Sequence, residues 1–234
     1  SSVLAYGWIV LVLLVVLSPH IGVLLLSFAS VWSFAPLPDG YTLAHYGTVF
    51  TDSPQMIRNT LLYCGLAAGI DVVLGVAISY LILRTRLPGR HWLDWIASSA
   101  LAIPGVVLAI GYLRFYKGLT LPFSDTLLTS TWVLIMIAYA VRRLPYALRA
   151  CYAALQQVNV SLEEAAESLG ATKLATIRRI VVPLMAGGIL AGFVTSFITA
   201  AVELSATLLL TSAESQAPMS YGIYLYMQSA AGRG

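Results

Sequence analysis

The sequence predicts an all-α integral membrane protein, and two features lead to that prediction. Hydrophobic residues make up 59% of the chain and charged residues only 10%, whereas a soluble domain has roughly 25% charged residues. Long apolar runs alternate along the chain with short polar or basic segments, and most of these runs are long enough to cross a bilayer as a helix. We therefore expect a multi-pass helical bundle that occupies residues 1–234 as a single transmembrane domain.

Five membrane spans are predicted, at residues 8–32, 57–83, 94–112, 126–141 and 184–210. The first is bounded by Trp8 and Trp32, as aromatic anchors at the two membrane surfaces would be. The third is interrupted by Pro104 and Gly105, because a Pro-Gly pair opens the helix hydrogen bonding. We expect residues 211–234, which are polar and rich in tyrosine, to form a re-entrant or interfacial segment.

The fourth and fifth spans carry further signals. The fourth is short for a bilayer, so we expect its helix to continue beyond the lipid surface through Arg142, Arg143 and Arg149. The fifth has small residues at every fourth position, which allow helices to approach closely in lipid; they are Gly188, Gly192, Ser196 and Ala200.

Two carboxylates fall inside predicted spans, Asp71 in the second and Glu203 in the fifth. A carboxylate at the bilayer centre costs about 2.5 to 3.5 kcal/mol on insertion scales, so it should face protein or water. Both are candidates for a translocation path, and an interhelical hydrogen bond is an equally good interpretation of each.

Other classes of site have little support. His20, His45 and His91 are scattered, so we expect no metal site and no cofactor in this chain. The net charge of +3 does not indicate nucleic-acid binding, because the basic residues cluster in loops.

The most informative stretch is polar and lies at residues 161–183, between two apolar runs. Ser161 and Glu164 have the spacing of a capping box at a helix start. Apolar residues then recur with helical spacing up to Leu169, and Gly170 follows where a helix often ends. These signals predict a short amphipathic helix, with Glu163, Glu164 and Glu167 on its exposed side.

The same stretch resembles the EAA loop of permeases of bacterial binding-protein-dependent ABC importers. That pattern is EAA, three residues, Gly, nine residues and I-x-L-P, and the chain has Glu164-Ala165-Ala166, Gly170, Ile180 and Pro183. Val182 stands where leucine is usual. The resemblance implies a type I importer-like bundle of six transmembrane helices, of which five are visible.

The resemblance also implies a role for this loop, which we place at residues 155–183. Its first helix would be the coupling helix, which docks on a cytoplasmic ATPase. Ala165, Ala166 and Leu169 would form the docking face, Glu164 would cap the helix or make a polar contact, and Gly170 would make the turn. The chain has no P-loop, so we expect ATP hydrolysis in a separate ATPase subunit and no enzymatic activity here.

The positions of the basic residues predict the orientation independently of this motif. Short cytoplasmic loops are enriched in Lys and Arg. Most of the cations follow the second and fourth spans, whereas the opposite side has Arg58, Arg114, Lys117 and Arg233. The EAA loop is therefore predicted to be cytoplasmic, in a multi-pass protein of the bacterial inner membrane.

Within the family, the chain most resembles the ferric-iron group, whose permeases are often two fused six-helix units. The segments that carry this resemblance begin at Asn59, Ala100 and Glu203. The chain would match the second unit, as a segment of a longer polypeptide. The implied partners are an ATPase dimer, a second permease half or subunit, a periplasmic binding protein and the lipid membrane. Related permeases for phosphonate, thiamine, polyamine or sulfate share much of the scaffold, so each of these substrates is an alternative to ferric iron.

Two hypotheses of other classes use the same carboxylates. Asp71 and Glu203 would be a catalytic pair in an intramembrane enzyme, or would carry protons in a secondary transporter. Transport that needs no ATPase would favour the secondary transporter.

Overall fold

The computed structural model describes residues 2–32 and 36–231, and it contains helices and no strand within them. The chain forms two compact units, Ser1–Pro54 and Gln55–Gly234. Arg233, one of the cations in the charge count, lies outside the described residues, as does the start of the loop after the first predicted span.

The first unit contains one long apolar helix and one short helix. α1 (Ser2–Phe28) is apolar all round, and its most hydrophobic window has no buried residue. α2 (Ala44–Asp52) is held to the end of α1 by Ser27 Oγ, which lies 2.9 Å from Tyr46 Oη. The first predicted span is therefore displaced, because α1 ends four residues before Trp32.

The second unit contains the remaining helices, which include every candidate site residue. They are α3 (Pro54–Arg84), α4 (Arg90–Ala102), α5 (Gly105–Phe115), α6 (Trp132–Gln157), α7 (Val160–Ser168), α8 (Lys173–Thr176), α9 (Val182–Leu184), α10 (Ala186–Ala201), α11 (Thr207–Leu210) and α12 (Met219–Ala231). A π-helical segment, Ile177–Val181, joins α8 to α9. Single 3₁₀ turns precede α6 and α12.

Two helices, α1 and α3, are each long and apolar enough to cross a membrane. Two further spans are possible if bent pairs count as one each: α4 with α5, bent by 108°, and α8 and α9 with α10, bent by 71°. The predicted break at Pro104 is confirmed, because α4 ends at Ala102 and α5 begins at Gly105.

The fourth predicted span is corrected. α6 has 26 residues and begins at Trp132. It is long enough to cross a membrane, but with three arginines it is less apolar than α1 and α3. Arg142 and Arg143 are largely buried inside the bundle, with side chains 14% and 11% exposed. The helix continues through Arg142, Arg143 and Arg149 as predicted, and the first two arginines lie inside the bundle, where they pair with Glu203.

The fifth predicted span is also shorter than expected. α10 ends at Ala201, and the chain turns through residues 202–206 before α11. Glu203 lies in this turn, where its carboxylate pairs with the arginines of α6. The segment that follows contains the thirteen-residue helix α12, and its re-entrant or interfacial position stays a prediction.

The predicted small-residue contact is confirmed, and α6 is the helix that it meets. A Cβ at Gly192 of α10 would lie 3.1 Å from Ala147 Cα, and a Cβ at Gly188 would overlap Ala154. Gly75 of α3 approaches the Ala147 backbone as closely, at 3.2 Å. The backbones of α3 and α10 therefore both lie against one short stretch of α6.

Candidate coupling helix and buried charged clusters

α7 begins at an asparagine cap. Asn159 Oδ1 accepts a hydrogen bond from the Ser161 backbone N–H at 3.0 Å, which satisfies one of the free donors at the helix start. The predicted capping box of Ser161 and Glu164 is therefore wrong. Asn159 takes the cap position, so Ser161 lies inside the first turn and the Glu164 side chain is exposed.

α7 ends at the glycine that the sequence indicated. Gly170 has φ +86°, a backbone conformation that side chains with a Cβ seldom adopt. The Gly170 N–H donates to Glu167 O at 3.0 Å and the Ala171 N–H donates to Ala166 O at 3.0 Å, so the last carbonyls of the helix are satisfied. Gly170 therefore makes the turn.

The exposed face of α7 differs in part from the predicted docking face. Leu169 is 90% exposed and Leu162 45% exposed, and Ala165 is exposed beside them. Ala166 is only 8% exposed and packs into its own chain. We therefore remove Ala166 from the docking face; the role of Ala165 and Leu169 there stays a prediction.

Glu163 holds α7 to α3, a role that the sequence analysis missed. Its Oε1 accepts from Arg84 Nε at 2.6 Å, and its Oε2 accepts from Tyr80 Oη at 3.3 Å, so both of its partners belong to α3. Arg84 Nη2 also donates to the backbone oxygens of Leu155, at 3.2 Å, and Val158, at 2.6 Å, at the end of α6. Helical periodicity gave no signal for this contact, because the partner lies 79 residues away.

Asp71 makes a hydrogen bond between helices. Its side chain is fully buried, and Oδ2 accepts from Ser196 Oγ of α10. Its Oδ1 has no hydrogen-bond partner among the described residues. The structure therefore gives Asp71 the interhelical contact that was one of its two predicted roles.

Glu203 lies in a buried cluster with two arginines of α6. Its Oε1 accepts from Arg142 Nη1 at 3.2 Å and from the Ala206 N–H at 3.2 Å. Its Oε2 accepts from Arg143 Nη2. The sequence predicts Glu203 inside the continuous fifth span; in the structure it lies in the turn after α10 and is 5% exposed.

The break between α4 and α5 packs on this cluster. A Cβ at Gly105 would overlap the Arg142 guanidinium, and it would lie 2.9 Å from Ser205 Cβ and 3.1 Å from Glu203 Oε1. Only glycine fits at this point, where the first turn of α5 meets the turn after α10. The buried cluster of Glu203 with two arginines thus lies in the middle of α6, where the break between α4 and α5 and the turn after α10 both contact it.

The candidate carboxylates have different partners, since Asp71 binds a serine hydroxyl and Glu203 two guanidinium groups. Among the described residues, no group of three His, Cys, Asp or Glu side chains is placed to hold a metal ion. Cys64 and Cys151 are both buried and free.

Known proteins resemble the chain over most of its length. Residues 71–231 match the family described as binding-protein-dependent transport system inner membrane component. The chain is 33% identical over 188 residues to the ferric transport system permease protein FbpB of Actinobacillus pleuropneumoniae, covering 77% of this chain and 26% of the relative. It is 30% identical over 173 residues to the sulfate transport system permease protein CysT of Salmonella typhimurium, covering 70% of this chain and 62% of the relative.

The fold also matches solved structures. A bacterial ABC transporter involved in the import of the acidic polysaccharide alginate superposes with a TM-score of 0.68 at 19% identity, covering 96% of this chain and 78% of that one. The chain spans about a quarter of the length of its ferric relative. The EAA-type loop, the apolar helices and the match over residues 71–231 agree: the chain belongs to the family of inner membrane permease components of binding-protein-dependent ABC transporters.

Proposed function

We propose that this chain forms part of the translocation path of an ATP-driven importer and couples that path to a cytoplasmic ATPase through α7. Family membership supports the permease role. The observation that carries the coupling role is that α7 is partly buried and partly exposed. Glu163 and Ala166 bind it to its own chain, while Leu162, Ala165 and Leu169 are exposed on an adjacent part of its surface.

The docking surface, defined as Leu162, Ala165 and Leu169, suits a protein partner. It combines exposed apolar side chains with the exposed carboxylate of Glu164, which would make a polar contact at the edge. A helix of nine residues has little stability by itself in water, and the buried contacts of Glu163 and Ala166 supply what it needs. The surface is therefore held in place before a partner arrives, which lowers the entropic cost of docking.

The charge pattern supports a cytoplasmic position for α7. Arg142 and Arg143 are buried, so they are not counted among the cations of the loops. Exposed cations still flank α7, namely Arg149, Lys173, Arg178 and Arg179, and Arg86 follows α3. Residues 113–125, on the other side, have Arg114 and Lys117. The excess on the side of α7 is what the bias of cytoplasmic loops towards Lys and Arg predicts.

Ferric iron is the cargo that we propose, with a periplasmic binding protein to deliver it, an ATPase dimer, and a second permease half. A ferric permease is among the most similar relatives. This chain covers about a quarter of that relative, which fits our proposal that it is the second unit of a fused permease. The sulfate relative makes an oxyanion the competing cargo.

Replacement of Leu169 by glutamate tests the coupling role. The complete permease would be purified from membranes with its co-expressed ATPase, as wild type, Leu169→Glu and Leu169→Met. We expect wild type and Leu169→Met to retain the ATPase and Leu169→Glu to lose most of it, because a carboxylate replaces an apolar contact at the interface. Gly170→Asp, which disturbs the turn, should weaken the complex as well.

All variants must insert equally in the membrane, which immunoblotting of membrane fractions measures. If neither wild type nor Leu169→Met retains an ATPase, the coupling role is wrong and proton-driven transport becomes the leading alternative. Uptake of radioactive ferric iron, with excess sulfate as competitor, tests the cargo in the same cells.

A further inference from the structure

Arg84 is the point at which three helices of the second unit are joined. It is the last residue of α3, and its side chain bonds to Glu163 of α7 and to the backbone oxygens of Leu155 and Val158 at the end of α6. The side chains of Arg84 and Glu163 are 11% and 9% exposed. Because the pair is nearly dry, water competes for it much less than for a surface ion pair.

Two buried side chains hold α7, which also contacts α8 and the π-helical segment that follow it. Of its nine residues, Glu163 and Ala166 are the buried ones. The chain enters α7 through Val158 and Asn159, which are extended, and leaves it at Gly170, whose φ is +86°. The Glu163 carboxylate gives α7 a direct side-chain connection to α3, in addition to the path of the chain.

The helix that receives this displacement is continuous. α3 has 31 residues without an internal proline, and Asp71 lies thirteen residues before Arg84, about 20 Å along the helix axis. There Asp71 accepts a hydrogen bond from Ser196 of α10. One rigid element thus connects the end beside α7 to a buried contact deep in the bundle.

We propose that the Arg84–Glu163 ion pair is the joint through which movement of α7 is passed to α3, and from α3 through Asp71 to α10. Glu163 and Arg84 are positioning residues, and neither belongs to the docking surface. This inference rests on the proposed coupling role. Loss of the ion pair should leave the ATPase bound and hydrolysing ATP, but α3 and α10 should no longer move with α7.

Glu163→Gln removes the charge with little change of shape, and Glu167→Gln is its matched control, because Glu167 is an exposed acid on the same helix. The permease would be purified with its ATPase and given spin labels at Ser168→Cys on α7 and Val73→Cys on α3. Both sites are exposed, and the native cysteines are buried. Pulsed EPR then measures the distance between the labels without nucleotide and after trapping with ATP and vanadate.

In wild type and Glu167→Gln we expect one narrow distance distribution that trapping leaves unchanged, because α7 and α3 move together. In Glu163→Gln we expect trapping to shift and broaden it, while the ATPase stays bound. Cargo moved per ATP hydrolysed should fall by about tenfold or more, as for loss of a buried charge pair. If the distance distribution of Glu163→Gln is identical to that of wild type in both states, the proposed role of the Arg84–Glu163 ion pair is wrong.

The other outcomes are equally decisive. If only Glu163→Gln loses the ATPase, Glu163 supports docking and the transmission role is wrong. If wild type binds no ATPase, the proposed function itself fails. Should Glu163→Gln not insert in the membrane, Glu163→Asp replaces it, since it keeps the charge but is one methylene too short for the 2.6 Å contact; wild-type behaviour of that variant would overturn the proposal.

Discussion

Buried charges in this protein are matched to partners residue by residue. Glu203 has Arg142 and Arg143, Glu163 has Arg84, and Asp71 has Ser196. The cost of burying an ion is offset only when its partners have good geometry. The sequence showed that Asp71 and Glu203 needed partners, and only the fold showed which residues those were.

The Glu203 cluster predicts a strong effect from one substitution. Glu203→Gln leaves two largely buried guanidinium groups without their carboxylate, so we expect a loss of about 3–5 kcal/mol in the free energy of unfolding. Thermal unfolding of the purified protein in detergent, followed by tryptophan fluorescence, measures it. Glu214→Gln is the control, because Glu214 is exposed and has no ion pair in the described structure. Equal midpoints for both variants would show that the cluster contributes little.

At the scale of helices, small residues decide which elements can touch. Ala147 of α6 meets both Gly75 of α3 and Gly192 of α10. The regular spacing from Gly188 to Ala200 predicted a close contact along α10, and this contact exists. The spacing could not identify α6 as the partner, because several predicted spans contain small residues.

A pair of glycine substitutions tests this packing. Gly192→Val places a branched side chain against the Ala147 backbone, 3.1 Å from the Cβ position, and should destabilise the protein by about 1–3 kcal/mol through overpacking. Gly187→Val makes the same change where nothing lies within 4 Å, so its unfolding midpoint in the same assay should stay near that of wild type. A larger loss at Gly187 than at Gly192 would contradict the assigned contact.

For the whole molecule, the path of the chain across the membrane depends on the bent pair α4 and α5. The 108° bend is compatible either with one broken span or with a re-entrant loop. The charge bias favours one span, because residues 84–90 before α4 have three arginines, whereas residues 113–125 have two cations and Asp125. It predicts that Phe123, after α5, lies on the opposite side of the membrane from α7.

Cysteine labelling in cells checks that topology. Phe123 is fully exposed and Ser168 is exposed on α7, while the native cysteines are buried. We expect a membrane-impermeant maleimide to label Phe123→Cys in cells whose outer membrane alone is opened, and to label Ser168→Cys only after the inner membrane is opened. Labelling of both positions when only the outer membrane is opened, or of neither until the inner membrane is opened, would mean that α4 and α5 form a re-entrant loop.

The amino-acid sequence determined the class of this protein, because hydropathy, glycine and proline punctuation and the motif at 161–183 act locally along the chain. It correctly placed the break at Pro104 and the turn at Gly170, and it identified the carboxylates that needed partners. It misplaced Glu163, did not show the partner of Arg142 and Arg143, and extended the last span through Glu203. Those four side chains pair with residues distant in the chain, and periodicity carries no information about such partners. Only the tertiary structure decided them, because an ion pair depends on where two helices come together in space.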